Sequence, residues 1–381
     1  MFGKIKNTLK SYQWRHLDVR LIIYVVGLTI LGINVIGSAT PGEGYDDRQT
    51  IGLILSLVAC LVLMIFSYRF VLKFYWIYYI LNLLLLLIVQ FFGTINMGAQ
   101  RWFQLGNTGF NIQPSEFTKL FLILFFAAFI GKYYRRLNNL AFLFLLCVLL
   151  AVPVFLIYKQ PDLSTSIVIC LLFCCILFVA GLSWKIILGA FVVMIPVVAI
   201  LGYLIMQPDQ TILEEYQYNR IIGFYDEDNE EAAELKDQQE QSVIAIGSGG
   251  LYGKGLNNNT VTSVKNGDFL SELHTDFIFA IIGEELGFIG SVGVILLLLL
   301  IVIECFIIGA RADDISGRIT ACGLGAWIGI QSGINLAVAT MLIPNTGLTL
   351  PFVSYGISSL LSLYAGVGIT LNISIHRKNN G

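Results

Sequence analysis

The chain has 381 residues, 56% hydrophobic and only 13% charged, with a mean hydropathy of +0.78 and a formal net charge of −2. Soluble domains carry about 25% charged residues, so this composition excludes a soluble globular fold and marks a polytopic membrane protein with no nucleic-acid partner. All seven cysteines (Cys60, Cys147, Cys170, Cys174, Cys175, Cys305, Cys322) lie inside apolar runs, which argues against a disulfide framework or a cysteine-based zinc site and for small buried hydrophobes.

A helix needs about 20 apolar residues to cross a bilayer. By that measure ten spans are expected, at roughly 20–37, 51–66, 74–92, 115–131, 140–158, 163–180, 185–206, 284–309, 318–343 and 350–374. The first run follows a basic segment, M-F-G-K-I-K-N-T-L-K, and no small-residue cleavage site follows it, so it reads as a retained helix rather than a signal peptide. The stretches K-Q-P-D (159–162) and G-L-S-W-K (181–185) separate their neighbouring spans as turns. The expected fold is a single all-α membrane domain, 1–381, with its one large polar connection at 207–274.

Lys and Arg set the orientation. One side collects fifteen of them: Lys4, Lys6, Lys10, Arg15, Arg20, Arg69, Lys73, Lys132, Arg135, Arg136, Lys185, Arg311, Arg318, Arg377 and Lys378. The short loops opposite hold Arg48, Arg101 and Lys159. Both termini are therefore expected in the cytoplasm, and the 207–274 loop outside. That loop carries an acidic run at 226–241, read as a solvated helix or loop, with docking of a partner protein as the sharper alternative. A glycine-rich stretch follows, I-A-I-G-S-G-G-L-Y-G-K-G (244–255). Its glycines allow positive φ and close backbone approach; phosphate cradling is a second reading, although this is not a Walker A sequence.

Four polar clusters fall on the same outer side. M-G-A-Q-R-W-F-Q-L-G (97–106) is too short and too polar to span, and Arg101 beside Trp102 suits the membrane interface or a functional role. Q-P-S-E-F-T-K-L (113–120) opens span four: Pro114 fits a first helical turn, and Glu116 with Lys119 is an i,i+3 ion pair. Lys119 would lie about 6–8 Å into the helix at ~1.5 Å per residue, where an ammonium must pair or face a wet cavity. Asp162, in Q-P-D-L-S-T-S (160–166), is placed to cap span six. Finally, P-N-T-G-L-T-L-P-F-V-S-Y-G-I-S-S-L (344–360) carries prolines, Gly347, Gly356 and hydroxyls, the signature of irregular backbone at membrane depth, which is tolerated only around a cavity or inside protein.

The most anomalous stretch is Asp268–Gly290, where Glu272, His274, Asp276, Glu284 and Glu285 enter an apolar run. A single helix from Thr275 to Gly309 would be about 52 Å long at ~1.5 Å per residue, against a hydrocarbon core near 30 Å. A break is expected at Gly283, Gly287 or Gly290, giving an interfacial or re-entrant piece at 275–283 and a span from about 284, with Asp276 at the outer mouth. An outward cavity holding one carboxylate and two cations, Arg101 and Lys119, suits transfer from a lipid-pyrophosphate-linked sugar onto a hydroxyl: the carboxylate serves as base and the cations meet the departing pyrophosphate. A transporter that binds such a lipid wants the same cavity and charges.

Six segments in this order, G-A-Q-R-W-F, Q-P-S-E-F-T-K-L, P-D-L-S-T, G-S-G-G-L-Y-G-K-G, H-T-D-F-I-F-A-I-I-G-E-E-L-G-F-I-G and T-G-L-T-L-P-F-V-S-Y-G-I-S-S-L, closely resemble the SEDS family (RodA, FtsW, SpoVE) over nearly the whole chain. The resemblance implies ten spans in a bacterial cytoplasmic membrane and a peptidoglycan glycosyltransferase that polymerises lipid II at the outer face by inverting transfer. It implies a class B penicillin-binding protein transpeptidase as partner. It places the essential acid at Asp276 and substrate-binding roles at Arg101, Glu116, Lys119 and Asp162, and His274 and Ser354, from H-T-D-F and V-S-Y-G, are further candidate substrate-binding residues. A divalent cation, Mg or Mn, is a candidate cofactor without an assigned ligand set. Ser164 and Ile357 stand where the family usually has Gly, and the usual Pro before Glu272 is missing. The motifs G-A-Q-R-W-F and N-T-G-L-T-L-P-F lean towards RodA and the elongation role; the alternatives are a division or sporulation paralogue, a lipid II flippase, and a scaffold recruiting a synthase through its acidic loop.

Overall fold

The computed structural model describes residues 14–96, 99–104, 111–205, 230–257 and 273–376, together with residues 207, 213, 218, 224 and 263. Ten apolar helices occupy the ten expected positions: α1 (Val19–Ala39), α2 (Tyr45–Ile65), α3 (Tyr75–Phe92), α4 (Pro114–Lys132), α5 (Leu140–Tyr158), α6 (Leu163–Val179), α7 (Trp184–Ile205), α9 (Ile278–Ala310), α10 (Ile315–Ala339) and α11 (Ile357–Ile375). Among the described residues, nine helices are long and apolar enough to cross a membrane, and α6 is a shorter apolar tenth. The polar helix α8 (Glu230–Ser248) occupies the connection between α7 and α9 and takes in most of the acidic run. The architecture is that of an all-α polytopic membrane protein.

Local sequence accounts for the ends of these helices. Asp18, Asn139, Asp162 and Asp314 cap α1, α5, α6 and α10 by accepting backbone N–H bonds from the first turn, which satisfies donors that would otherwise face hydrocarbon. Pro114 sits in the first turn of α4, where its missing N–H costs nothing. The helices differ in how far they are enclosed. In α4 and α11, 83% of the apolar window is buried inside the protein, against none of it in α7. The core therefore centres on α4, α10 and α11, where Trp327, Tyr364, Phe125 and Phe126 are fully enclosed, while α7 presents its apolar side chains outward.

Three features depart from the sequence expectations. Between α3 and α4, the described residues form a small antiparallel sheet of β1 (Thr94–Asn96), β2 (Ala99–Gln104) and β3 (Asn111–Ile112), in the order β1-β2-β3, where only a short interfacial stretch was expected. Its ladders pair Thr94 with Trp102 and Phe103 with Ile112, and so satisfy backbone groups that a bare loop would leave open. The break in α9 falls at Gly287 alone (φ 66°, ψ −164°); Gly283 and Gly290 stay helical. The expected division at 283/284 is thus displaced: 278–286 is a buried helical piece that includes Glu284 and Glu285, and 288–310 spans about 34 Å at ~1.5 Å per residue. Third, span ten starts at Ile357 rather than 350, and the segment 341–356 before it is irregular, as its prolines and glycines foretell.

The glycine-rich stretch explains the break. Lys254 N and Gly255 N donate to the carbonyls of Glu284 and Glu285, both at 2.9 Å, and Phe288 N and Ile289 N donate to Gly250 and Leu251 at 2.9 and 3.2 Å. The broken turn of α9 thus finds its hydrogen bonds in the 249–255 loop. A Cβ at Gly253 or Gly287 would collide with the other strand's backbone, and both have positive φ, so only Gly fits. These backbone groups are occupied by α9, which replaces the phosphate-cradle reading with a docking role.

Candidate active site

A cavity of about 320 Å³ opens where the irregular segments meet the bundle. Its walls come from the start of α2 (Tyr45, Arg48), β2 (Arg101, Trp102), the β3–α4 junction (Asn111, Gln113, Glu116), α6 (Asp162, Thr165), the turn 273–277 (His274, Thr275, Asp276) and 347–359 (Thr349, Tyr355, Ser358 among them). Of the residues singled out in the sequence, Arg101, Glu116, Asp162, His274 and Asp276 converge here. Lys119 and Ser354 do not line it. Glu272 lies outside the described residues.

Asp276 belongs to a turn that leads directly into α9. The turn is held from three directions. Ser354 Oγ donates to the carbonyl of Thr275 at 2.6 Å and accepts from Leu350 N at 2.7 Å. Tyr355 N donates to the carbonyl of His274 at 2.8 Å, and Asn335 Nδ2 donates to that of Asp276 at 2.8 Å. The His274 ring stacks on Tyr45 with centroids 4.2 Å apart and lies 5.6 Å from Tyr355. Ser354 thus braces the acidic turn through its two backbone bonds.

The α4 pair behaves similarly. Lys119, fully buried, places Nζ 2.6 Å from Glu116 Oε1 and 2.8 Å from Gln331 Oε1, and 5.1 Å from the Trp327 ring centroid. The i,i+3 ion pair is present, and the ammonium is bonded to its own partners behind the wall. The residue expected to bind substrate is thus placed beside the cavity wall, bonded to Glu116 and Gln331. Its effect is to fix Glu116, whose second oxygen, Oε2, is buried without a hydrogen-bond partner among the described residues and belongs to a residue of the cavity wall.

Two guanidinium groups do line the cavity. Arg101 Nη1 lies 3.8 Å from Asp162 Oδ1, and its Nε has no hydrogen-bond partner among the described residues. Asp162 also caps α6 through Thr165 N at 3.1 Å, so the capping and cavity readings both hold. Arg48, which the sequence presented only as a lone basic residue in a short loop, sits over the Tyr45 ring at 5.7 Å and completes the basic wall. No motif signalled it; its position one turn into α2 carries it there. The departures from the family pattern are absorbed: Ser164 Oγ donates to the Thr346 carbonyl, and Ile357 packs against Gly52.

Below the 249–255 loop, Lys254 Nζ pairs with Glu284 Oε1 at 2.7 Å and Ser38 Oγ donates to Glu285 Oε1 at 2.5 Å. Both glutamates serve structure at the α9 break. Among the described residues no group of three or more His, Cys, Asp and Glu side chains is close enough to hold a metal ion.

Ten apolar helices around a cavity lined by carboxylates and guanidinium groups define a polytopic membrane protein with a charged site at one end of its bundle. The chain matches the family model for the FtsW/RodA/SpoVE cell cycle proteins over residues 19–379. It is 35% identical over 377 residues to the peptidoglycan glycosyltransferase MrdB of Escherichia coli K12, covering 98% of each chain. It is also 35% identical over 379 residues to the probable peptidoglycan glycosyltransferase FtsW of Trichlorobacter lovleyi, covering 96% of this chain and 95% of that one. Among solved structures it matches a chain from a study of how a peptidoglycan synthase complex coordinates polymerization and crosslinking (TM-score 0.78, 28% identity, 96% and 99% coverage). It likewise matches the rod shape determining protein RodA of Thermus thermophilus (TM-score 0.69, 28% identity, 97% and 98% coverage). The chain belongs to the FtsW/RodA/SpoVE family.

Proposed function

We propose that this protein polymerises lipid II into glycan strands at the outer face of a bacterial cytoplasmic membrane, with Asp276 as general base. Its identity as a peptidoglycan glycosyltransferase follows from full-length similarity to the peptidoglycan glycosyltransferase MrdB and to the probable peptidoglycan glycosyltransferase FtsW. The observation that supports the finer reading is the placing of Asp276 in one cavity with Arg48 and Arg101.

In this mechanism the acceptor sugar's hydroxyl oxygen attacks the anomeric carbon of the donor while its proton passes to the Asp276 carboxylate. The bond from the anomeric carbon to the pyrophosphate oxygen breaks, and its electron pair leaves with the lipid pyrophosphate. One displacement inverts the anomeric configuration. Arg101, joined by Arg48 in the cavity wall, stabilises the negative charge where it develops. Glu116 Oε2 accepts a hydrogen bond from a sugar hydroxyl or acetamido N–H. Mg or Mn enters this scheme as a counter-ion carried by the pyrophosphate; chelation with EDTA and re-addition of either metal tests it.

The partner proposed is a class B penicillin-binding protein transpeptidase, in keeping with the coupling of polymerization and crosslinking in the similar complex. The elongation role is the one proposed, on the motif resemblance to RodA; similarity at 35% to both MrdB and FtsW makes complementation of elongation and division mutants the deciding experiment. For the chemistry, the complex purified with its transpeptidase should polymerise lipid II, and Asp276→Ala should lower the rate by at least about 100-fold, the scale of a lost general base. Full polymerisation by Asp276→Ala would overturn the base assignment. Lipid translocation in proteoliposomes without polymer would favour the flippase reading, and loss of function in cells on deleting 226–241, with polymerisation in vitro intact, would favour the scaffold.

A further inference from the structure

One buried amide outside the cavity wall is bonded to the backbone of two cavity segments at once. Asn335 lies on α10 and is 1% exposed. Its Nδ2 donates to the carbonyl of Asp276 at 2.8 Å and to that of Leu348 at 2.7 Å. The two acceptors belong to different irregular segments, the turn 273–277 and the stretch 341–356, neither of which has a helical ladder to hold it. An amide nitrogen carries two hydrogens, so both are used, and the opposite rotamer would aim an oxygen at two carbonyls. Oδ1 is buried with no hydrogen-bond partner among the described residues. A buried polar group left half satisfied asks for a reason, and the reason here lies with its two donors.

One turn earlier Gln331 does related work, donating to Thr349 O at 2.9 Å while accepting from Lys119. Asn335 differs in that its acceptor is the backbone of the proposed base itself. A shift in that carbonyl rotates the peptide and moves the Asp276 carboxylate relative to the wall formed by 347–349. We infer that Asn335 is a positioning residue for glycosyl transfer: it ties the Asp276 backbone to Leu348 and so sets the reach of the carboxylate towards the acceptor hydroxyl, without touching substrate. The inference rests on Asp276 as general base.

The test uses the full-length protein in complex with its transpeptidase, with polymerisation followed over a lipid II concentration series. Because displacement of a reacting group by about 1 Å can cost on the order of 100-fold, Asn335→Ala should lower kcat by about 30-fold or more with KM within about 3-fold. Asn335→Ser, which keeps a donor on a shorter side chain, should fall between it and the parent, and carries the test if the alanine variant does not fold. Asn372→Ala is the matched control. Asn372 donates to Met64 O at 2.7 Å and accepts from Tyr68 N at 2.7 Å, away from the cavity, so its loss should lower the melting temperature while kcat stays near the parent value. The inference is overturned if Asn335 variants keep kcat within about 3-fold, or if Asn372→Ala loses kcat in step with its melting temperature as they do. An inactive Asp276→Ala beside an active Asn335→Ala sinks this inference alone; an active Asp276→Ala sinks the base assignment with it.

Discussion

Lys119 shows how a single residue changes meaning between sequence and structure. Sequence placed a charge inside hydrocarbon and inferred that it must pair or face water; the fold pairs it with Glu116, Gln331 and the Trp327 ring. Removing one partner of a buried ion pair typically costs about 3–5 kcal/mol, because the other charge is left uncompensated. Lys119→Met should therefore lower the melting temperature and activity together, with the Glu116 side chain released from its place; an unaltered melting temperature would show that the pair is not enclosed. Arg101 should behave differently, since it lies at the wall and its exposure is 16% at the side chain. Arg101→Lys keeps the charge and loses the planar fork that suits phosphate, so KM for lipid II should rise several-fold with stability nearly unchanged.

At the scale of elements, the break in α9 and the 249–255 loop are one unit. Gly287→Ala puts a Cβ where φ is positive and where the backbone of Tyr252 and Gly253 already lies, and should destabilise by about 1–3 kcal/mol, visible in thermal unfolding and in proteolysis of the loop. Gly293, six residues on in the same helix, has open space around its missing Cβ; Gly293→Ala should be neutral or stabilising by up to about 1 kcal/mol, because it only removes backbone freedom. The contrast isolates conformation from helix propensity. The same unit explains why a length argument was right that the helix must yield but could not say where: three glycines lay in reach, and the loop that fills the broken turn docks at Gly287.

For the whole molecule, the cavity draws on segments from residue 45 to residue 359, all of which the Lys and Arg distribution assigns to the outer side. Orientation is then open to direct labelling. In a cysteine-free background, Glu43→Cys should react with a membrane-impermeant maleimide in intact cells and Arg135→Cys only after permeabilisation; the reverse pattern would invert the topology and place the cavity in the cytoplasm. Both positions are exposed in short connections, so access to reagent is not limiting.

The sequence by itself determined the ten apolar helices, because bilayer thickness imposes a length and a composition that can be read residue by residue. It also determined the anomalous acidic stretch around Asp276, the cap at Asp162 and the first-turn proline at Pro114, which depend on neighbours a few positions away. Tertiary structure alone decided which charges face the cavity. Arg48 joined the cavity wall without a motif, Lys119 and Ser354 made their bonds beside it, strands β1, β2 and β3 paired into a sheet, and Asn335 reached across to Asp276. Most of those outcomes turn on hydrogen bonds between residues tens to hundreds of positions apart, or on strand pairing, and in hydrocarbon a polar group goes wherever such a partner stands.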